Sequence, residues 1–566
     1  MRRSALGALA ACLALAVLLG WPLTIRAQDA TPIASPSAGI AGPLFADVTD
    51  AALPAPQPCG PGGAEGCYSN YVRLADLDGD ADLDIIFANG GGYFSRGGEE
   101  GLQPLAIYRN DGREADGMPV FTDVSEEAVS GFRSRLRQVA IGDIDGDGDL
   151  DLYAPGSWGE ADALFINDGQ GAFADEATER LPAGLASRAG ATRYGDLDGD
   201  GDLDLVVTDW GQTPPYTAGT AYLYVNDGSG RFTDATDQFP SVPDGLGTAP
   251  VDADVLDVDN DADLDLILNN RDGRNLLWLN DGTGTFSDAT EAQLPAKPSA
   301  MSYDVEPCDV DADGDLDLWV DNARLARAEQ LLINDESGRF SDESDERITG
   351  NPAGDDNEIN CADVDGDGDF DAVIAALEGN DRVLINDGRG NFTAPLDAFP
   401  VLGDPSLSIE LGDLDGDAVL DTVTAQGESL PQLNRVYQGV APAPSDRRPP
   451  VLRYGPMLTS TPEEPTVVIF ALSDNATTDG GPRLGSDGAF IEWQVEDEAP
   501  ARVAATFLGG DLFRAVLPPE AEGPGLMVRV GAVDQAGNEF VSSFTAAGVV
   551  AADHAGATPL TGTPTG

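Results

Sequence analysis

Short, partly β-branched apolar runs recur along the chain, such as residues 203–207 and 264–268, and Asp-, Asn- or Gly-rich stretches separate them. Runs of that length and composition predict strands rather than helices. The spacing carries two periodic marks. The first is a nine-residue run with Asp at its odd positions, starting at Asp76, Asp143, Asp196, Asp257, Asp309, Asp363 and Asp413, with Val419 at position seven of the last as the one exception. The second is an Asn-Asp turn followed by Phe: Asn167 with Phe173, Asn226 with Phe232, Asn280 with Phe286, Asn334 with Phe340 and Asn386 with Phe392, plus a longer first copy from Asn110 to Phe121. Turns built on Asn, Asp and Gly tolerate positive φ and favour tight hairpins. Each unit therefore predicts strand, acidic loop, strand, variable loop, strand, hairpin and last strand. Four antiparallel strands in about 55 residues make a propeller blade.

The ends of the array fit together. The seventh unit lacks a Phe strand, whereas a spare one, Phe45-Ala46-Asp47-Val48-Thr49, precedes the first unit and resembles Phe121-Thr122-Asp123-Val124-Ser125. The N-terminal strand is expected to complete the last blade, which removes exposed sheet edges. The fold class is all-β: a seven-bladed β-propeller over 44–440 followed by a β-sandwich. Residues 441–450 are Pro-rich and predict a stiff linker. Residues 451–548 alternate as strands do and predict the sandwich, and 549–566 predict a disordered tail rich in Thr, Pro, Gly and Ala. At the other end, Arg2 and Arg3 precede an apolar run, so 1–27 reads as a secretory signal peptide and 28–43 as a linker.

Charge narrows the function. Among 566 residues, 99 are acidic and 31 basic, a net charge of −68. Such a chain has no basic patch for a phosphate backbone and none for an anionic membrane surface, so nucleic acid is excluded as a partner and no membrane span is expected after signal cleavage. The one histidine, His554, lies in the tail, and Lys297 is the one lysine. Nucleophile systems that need histidine are therefore not expected, and the chain is not expected to be an enzyme. A carboxylate pair or a Tyr/Arg set acting on a polysaccharide stays open. Cys59 and Cys67 bracket a Gly/Pro-rich loop and are expected to pair. Cys308 and Cys361, each just before an acidic loop, either bridge neighbouring units or pack as small residues.

The acidic loops point to a hard cation. Calcium takes six to eight oxygens, and a loop with Asp at positions one, three, five and nine can wrap it, helped by the carbonyl of position seven. The candidate ligands are Asp76, Asp78, Asp80 and Asp84; Asp143, Asp145, Asp147 and Asp151; Asp196, Asp198, Asp200 and Asp204; Asp257, Asp259, Asp261 and Asp265; Asp309, Asp311, Asp313 and Asp317; Asp363, Asp365, Asp367 and Asp371; and Asp413, Asp415, Asp417 and Asp421. Up to seven structural Ca2+ ions are expected. The fourth loop has Asn260 and Ala262 where glycines are expected, which predicts weaker binding.

The run from Ala140 through Asp143, Asp145, Asp147, Asp149 and Asp151 to Gly156 resembles the FG-GAP repeat, also described as VCBS-like in bacteria, which builds the seven-bladed propeller of integrin α subunits. The resemblance spans about 400 residues and implies calcium between the first and second strands of each blade. It implies no integrin partner, because no leg domains follow. Residues 533–538, Val-Asp-Gln-Ala-Gly-Asn, resemble the closing hairpin of bacterial immunoglobulin-like domains.

Loops between second and third strands lie on the face opposite the acidic loops. They carry Tyr93, Phe94, Trp158, Trp210 and Tyr216, then Arg271, Arg274, Arg324, Arg327 and Arg382, while Arg133, Arg135 and Arg137 enter from the same face. Aromatic rings stack on sugars and guanidinium groups pair with carboxylates, so this face is a candidate site for an extracellular glycan or protein ligand. The alternative is packing between blades and balancing of nearby acids. The pairs Asp252/Asp254, Asp304/Glu306 and Glu358/Asn360 either line a central channel or face arginines of adjacent blades. The expected protein is a secreted, monomeric, calcium-binding adhesion or ligand-binding propeller. Polysaccharide lyase or hydrolase activity and a purely architectural surface role are the alternatives.

Overall fold

Alternation of apolar and polar residues produces an all-β chain, seen here in a computed structural model. It describes residues 43–546 apart from 55–65, 91–100, 115–116, 184–187, 212–218, 242–248, 272, 296–301, 322–327, 395–397, 428–429, 441–442, 462–463, 477–481, 483, 496–497 and 522–524. The signal peptide, all but the last residue of the 28–43 linker and the tail from 549 lie outside the described residues.

Seven sheets of four antiparallel strands follow one another along 45–439. Their inner strands are Ser69–Ala75, Ala140–Gly142, Ala189–Gly195, Pro250–Leu256, Val305–Cys308, Asp356–Ala362 and Ser406–Gly412. The seventh sheet is completed by Phe45–Asp47, which runs antiparallel to Arg435–Gly439 with Phe45 opposite Gly439. The sixth gains a fifth strand, Ile348–Thr349, parallel to Phe392–Thr393. Each sheet packs its apolar face on the next, and the seventh returns to the first through Leu74, Leu83, Leu414 and Val423.

Side chains on the inner strands lace the cycle together. The Val305 N–H donates to Asp252 Oδ2 (3.3 Å), Ile359 N–H to Asp304 Oδ2 (2.8 Å), Ile409 N–H to Glu358 Oε2 (2.6 Å), and Val72 N–H to Ser408 Oγ (3.1 Å). Acids on these strands also meet arginines: Arg193 binds Asp254 at 2.6 Å and Asp252 at 3.3 Å, and Arg73 binds Glu410 at 3.2 Å. For Asp252 and Asp254 the arginine-facing alternative holds, and all three pairs are buried. Cys308 and Cys361 are joined by a disulfide with Cα atoms 6.6 Å apart, which ties the fifth inner strand to the sixth. Cys67 is disulfide-bonded; its expected partner Cys59 lies outside the described residues.

A short helical turn follows the last strand in six sheets, at Thr49–Ala52, Ser125–Ala128, Ala177–Arg180, Thr236–Gln238, Thr290–Gln293 and Ser344–Arg347. The unit expected from the sequence did not include it. An Asp two residues earlier accepts the first N–H, as Asp123 does from Ser125 (3.1 Å) and Asp288 from Thr290 (3.0 Å). Such Asx turns start a helix without apolar periodicity, which explains why the pattern missed them.

Residues 451–546 form two further sheets that share one apolar core of Leu458, Val468, Phe470, Ile491, Trp493, Val528 and Val530. They pack directly on the acidic-loop side of the cycle. The Asp196 N–H donates to Leu508 O (2.7 Å), Asp363 N–H to Asn475 O (2.8 Å), and Leu508 joins the apolar cluster of Leu197, Val255 and Leu264. The Pro-rich segment is engaged as well, because Asp446 N–H donates to Ala418 O at 2.5 Å.

Candidate functional site

In each acidic loop the chain turns so tightly that carboxylates cap their own backbone. The first-position Asp76 accepts N–H donors from Gly79, Asp80 and Ala81 at 2.8–3.1 Å, and Asp413 accepts from Gly416, Asp417 and Ala418. Left-handed backbone is needed inside the turn. Where glycine is missing, Ala81, Asn260, Ala262, Ala312 and Ala418 adopt it at φ 59–74°, a cost of about 1–2 kcal/mol each.

The ninth-position Asp is a hinge pin. Its Oδ2 accepts the N–H of loop position two, and its Oδ1 accepts the N–H at the hairpin Asn: for Asp204 these are Leu197 (3.0 Å) and Asn226 (2.8 Å). The arrangement repeats for Asp84, Asp151, Asp265, Asp317, Asp371 and Asp421, with Gly439 in place of Asn in the last. Burial pushes Asp84 and Asp151 up to about 7, Asp204 to about 8 and Asp317 to about 9, against the lowering effect of those N–H donors.

The Asn itself does more than turn the chain. Asn226 Nδ2 donates to Leu203 O of its own sheet (3.1 Å) and to Ile144 O of the preceding sheet (2.8 Å). Asn110, Asn167, Asn280, Asn334 and Asn386 do the same to Leu414, Leu77, Leu197, Val258 and Val310. Sequence reasoning took these residues as turn formers only. Their repetition was the available signal, since a turn accepts Asp or Gly equally well.

The donor set suits a hard cation. Carboxylate oxygens converge within 4.8 Å in groups that include Asp76/Asp78/Asp80, Asp143/Asp145/Asp151, Asp196/Asp198/Asp204, Asp257/Asp259/Asp265 and Asp309/Asp311/Asp317. Several have an oxygen shielded from solvent that accepts no hydrogen bond: Asp78 Oδ1, Asp145 Oδ1, Asp196 Oδ1, Asp311 Oδ1 and Asp365 Oδ2. Leaving a buried carboxylate oxygen unmatched is costly, and a cation would match it.

The opposite face gathers rings and guanidinium groups near the axis. Trp158 and Trp210 meet edge to face at 5.2 Å. Arg188 lies 4.8 Å over Trp158, Arg137 5.1 Å over Trp210, and Arg271 5.7 Å over Tyr303. Trp158 is half-buried and holds φ at 61°, uncommon for a bulky side chain. Trp210 is fully buried beneath it with Ala249 and Val251, so it supports the ring above rather than offering a face of its own. Burial raises the Tyr303 hydroxyl, and Arg271 acts against that rise.

Residues 76–154, 156–207, 196–268, 257–320 and 363–424 match the FG-GAP-like repeat, more than half of the chain in all. The chain belongs to the FG-GAP-like repeat family. Cartilage acidic protein 1 of Xenopus tropicalis is 25% identical over 432 residues, which cover 70% of this chain and 63% of that relative, so the chain spans under two thirds of its length. Among solved structures, the BP39L lectin from Burkholderia pseudomallei aligns with TM-score 0.44 and 14% identity over 66% of this chain and 99% of the lectin. The V. cholerae biofilm matrix protein Bap1 aligns with TM-score 0.32 and 13% identity over 87% of this chain and 74% of Bap1.

In this FG-GAP-like chain the other expected ligand-face residues divide. Tyr93, Phe94, Tyr216, Arg324 and Arg327 lie outside the described residues. Arg133 is exposed, while Arg135 is buried and ion-paired with Glu160. Arg274 binds Glu291 at 2.8 Å and the Thr290 and Leu294 carbonyls. Arg382 bridges Asp356 (2.5 Å) and Glu329 (3.1 Å), so both serve structure. Glu329 and Asp356 are at most 1% exposed, which closes that carboxylate pair to a sugar. Arg188 and Tyr303 were missed, because neither sits in a loop between second and third strands. No helix among the described residues is long and apolar enough to cross a membrane.

Proposed function

We propose that this FG-GAP-like protein is a secreted, calcium-stabilised seven-bladed propeller with an immunoglobulin-like C-terminal sandwich, and that it binds an acidic extracellular glycan without cleaving it. The three guanidinium–aromatic pairs Arg188–Trp158, Arg137–Trp210 and Arg271–Tyr303, gathered on one face of a chain with net charge −68, carry the reading. A guanidinium stacked on a ring keeps its N–H edge fixed, which suits bidentate pairing with carboxylate or sulfate. The half-buried Trp158 offers a surface for a sugar ring. The relative named for cartilage supports an extracellular setting. Calcium in the acidic loops would be held by the first-, third-, fifth- and ninth-position carboxylates and would supply charge neutralisation, not chemistry on a ligand.

The test is retention of the mature protein on neutral and acidic polysaccharides in calcium, with reducing-end release followed in parallel. Retention on acidic polymers alone, weakened at least tenfold by Trp158→Ala and by Arg188→Ala, is expected. Equal retention by both variants would remove the site, and release of reducing ends would move the reading to a lyase or hydrolase.

A further inference from the structure

The seven acidic loops are not equivalent once their acceptor lone pairs are counted. In the first loop, Asp76 spends its oxygens on backbone N–H donors alone. In the fourth loop, Asp257 receives Asp261 N–H at Oδ1 (3.1 Å) and Ala262 N–H at Oδ2 (2.8 Å), and Oδ2 then takes the Tyr454 hydroxyl of the C-terminal sheets as well. Asp257 is 0% exposed. Beside it the buried Arg453 donates to Asn260 Oδ1 (2.7 Å) and Gly314 O (3.0 Å) while Asp511 holds its other edge at 2.5 and 3.1 Å. A guanidinium and a hydroxyl therefore stand beside these carboxylates. Guanidinium groups also reach Asp145 (Arg180, 3.3 Å), Asp311 (Arg347, 3.3 Å) and Asp363 (Arg448, 3.9 Å), but in each of those loops a third-position oxygen stays shielded and unmatched.

The seventh loop is closed differently. Asp415 Oδ1 accepts Asp417 N–H (3.1 Å), and its Oδ2 accepts Gln438 Nε2 (2.5 Å). The matching Asp365 has the same Oδ1 bond, from Asp367 (3.2 Å), but its Oδ2 is shielded and accepts nothing. The position held by Gln438 is occupied by Ile166, Val225, Leu279, Ile333 and Ile385 in the second to sixth units. The orphaned first- or third-position oxygens belong to loops one, two, three, five and six.

We propose that the fourth loop is the docking socket of the C-terminal domain, filled by Tyr454 and Arg453 in place of a cation, and that Gln438 likewise closes the seventh, so the chain takes up five cations rather than seven. This rests on the calcium reading above. An acceptor already matched by a protein donor gains little from a metal and must lose that donor to bind one. The fourth loop also exchanges its glycines for Asn260 and Ala262, which hold φ 59° and 74°. Metal-independent contacts there leave the domain attached when calcium is withdrawn.

The full chain, stripped by chelation and re-dialysed against calcium, is assayed for bound calcium per chain by elemental analysis. Five ions are expected for the wild type, six for Tyr454→Phe, six for Gln438→Ala and seven for the double variant. Six or seven ions in the wild type, or five in all four proteins, would overturn the proposal. Binding of no calcium would instead sink the calcium reading itself. Gln438 is remote from the C-terminal contact at Asp257, so its variant keeps the count testable where Tyr454→Phe releases the domain.

Discussion

At the scale of single residues, the hairpin Asn is the most heavily used side chain in the ring. Asn226 answers two buried carbonyls with one amide, and only a side chain with two donors on one nitrogen can do so. Asn226→Ala leaves both carbonyls unmatched and is expected to cost about 2–4 kcal/mol, read as a fall in the urea midpoint at unchanged slope; a change under 0.5 kcal/mol would refute the clamp. The inner-strand acids act through charge. Burial raises Glu358 to about 8, with Arg73 opposing. An acid whose folded pKa exceeds its unfolded value holds the extra proton in the folded state, so its stabilising share is present below about pH 4.5 and is lost as pH rises towards 8. Chelated protein is therefore expected to melt at falling temperature between pH 5 and 8. Glu358→Gln, which keeps an oxygen for the Ile409 N–H, should flatten that slope in a melting series across pH.

At the scale of elements, each acidic loop couples a turn to two sheets. The same Asp joins loop position two to the next strand, and the Asn beside it reaches the previous sheet, so a unit is incomplete without its neighbour. Hairpin Thr506–Gly509/Leu512–Val516 helps to fasten the C-terminal sheets to the third and fourth units, beside Arg453 and Tyr454. The fit depends on two glycines meeting. A Cβ at Gly509 would sit 2.8 Å from Gly195 Cα and 2.9 Å from Tyr194 O, with φ already at +106°. Gly509→Ala should push the hairpin off without unfolding either part. Faster proteolysis of the 441–450 segment with unaltered far-UV circular dichroism is the expected result, and unchanged cleavage would show that the contact tolerates a methyl.

At the scale of the whole molecule, the acidic loops lie on one face of the cycle and the arginine–aromatic pairs on the other, and the C-terminal domain packs on the first. Cations bound only by the folded state stabilise it by mass action. At a Kd near 0.1 mM and 1 mM calcium each site adds about 1.4 kcal/mol, so five sites add about 7 kcal/mol. Differential scanning calorimetry with calcium and with chelator should separate the two melting temperatures widely, and coincident melts would contradict a structural cation. Because the proposed ligand face lies on the other side, Trp158→Ala should leave both melts in place while altering retention on acidic polymers.

Local patterning was enough to reveal the strands, the periodic acidic loops, the N-terminal strand that completes the seventh sheet, and the pairing partners open to Cys308. These depend on neighbours in sequence or on a repeat that recurs many times, and period-two alternation with tight-turn residues encodes them directly. Three things needed the folded chain. The Asn clamp joins residues about eighty positions apart in Asn226 and Ile144, and the docking of Tyr454 on Asp257 joins residues about two hundred apart. The arginine and ring pairs on the ligand face collect Arg137, Arg188 and Arg271 from three separate units. A strand's composition states which residues are apolar and which turn, but which carbonyl a side chain meets across the ring depends on how sheets stack, and that is set by packing between units.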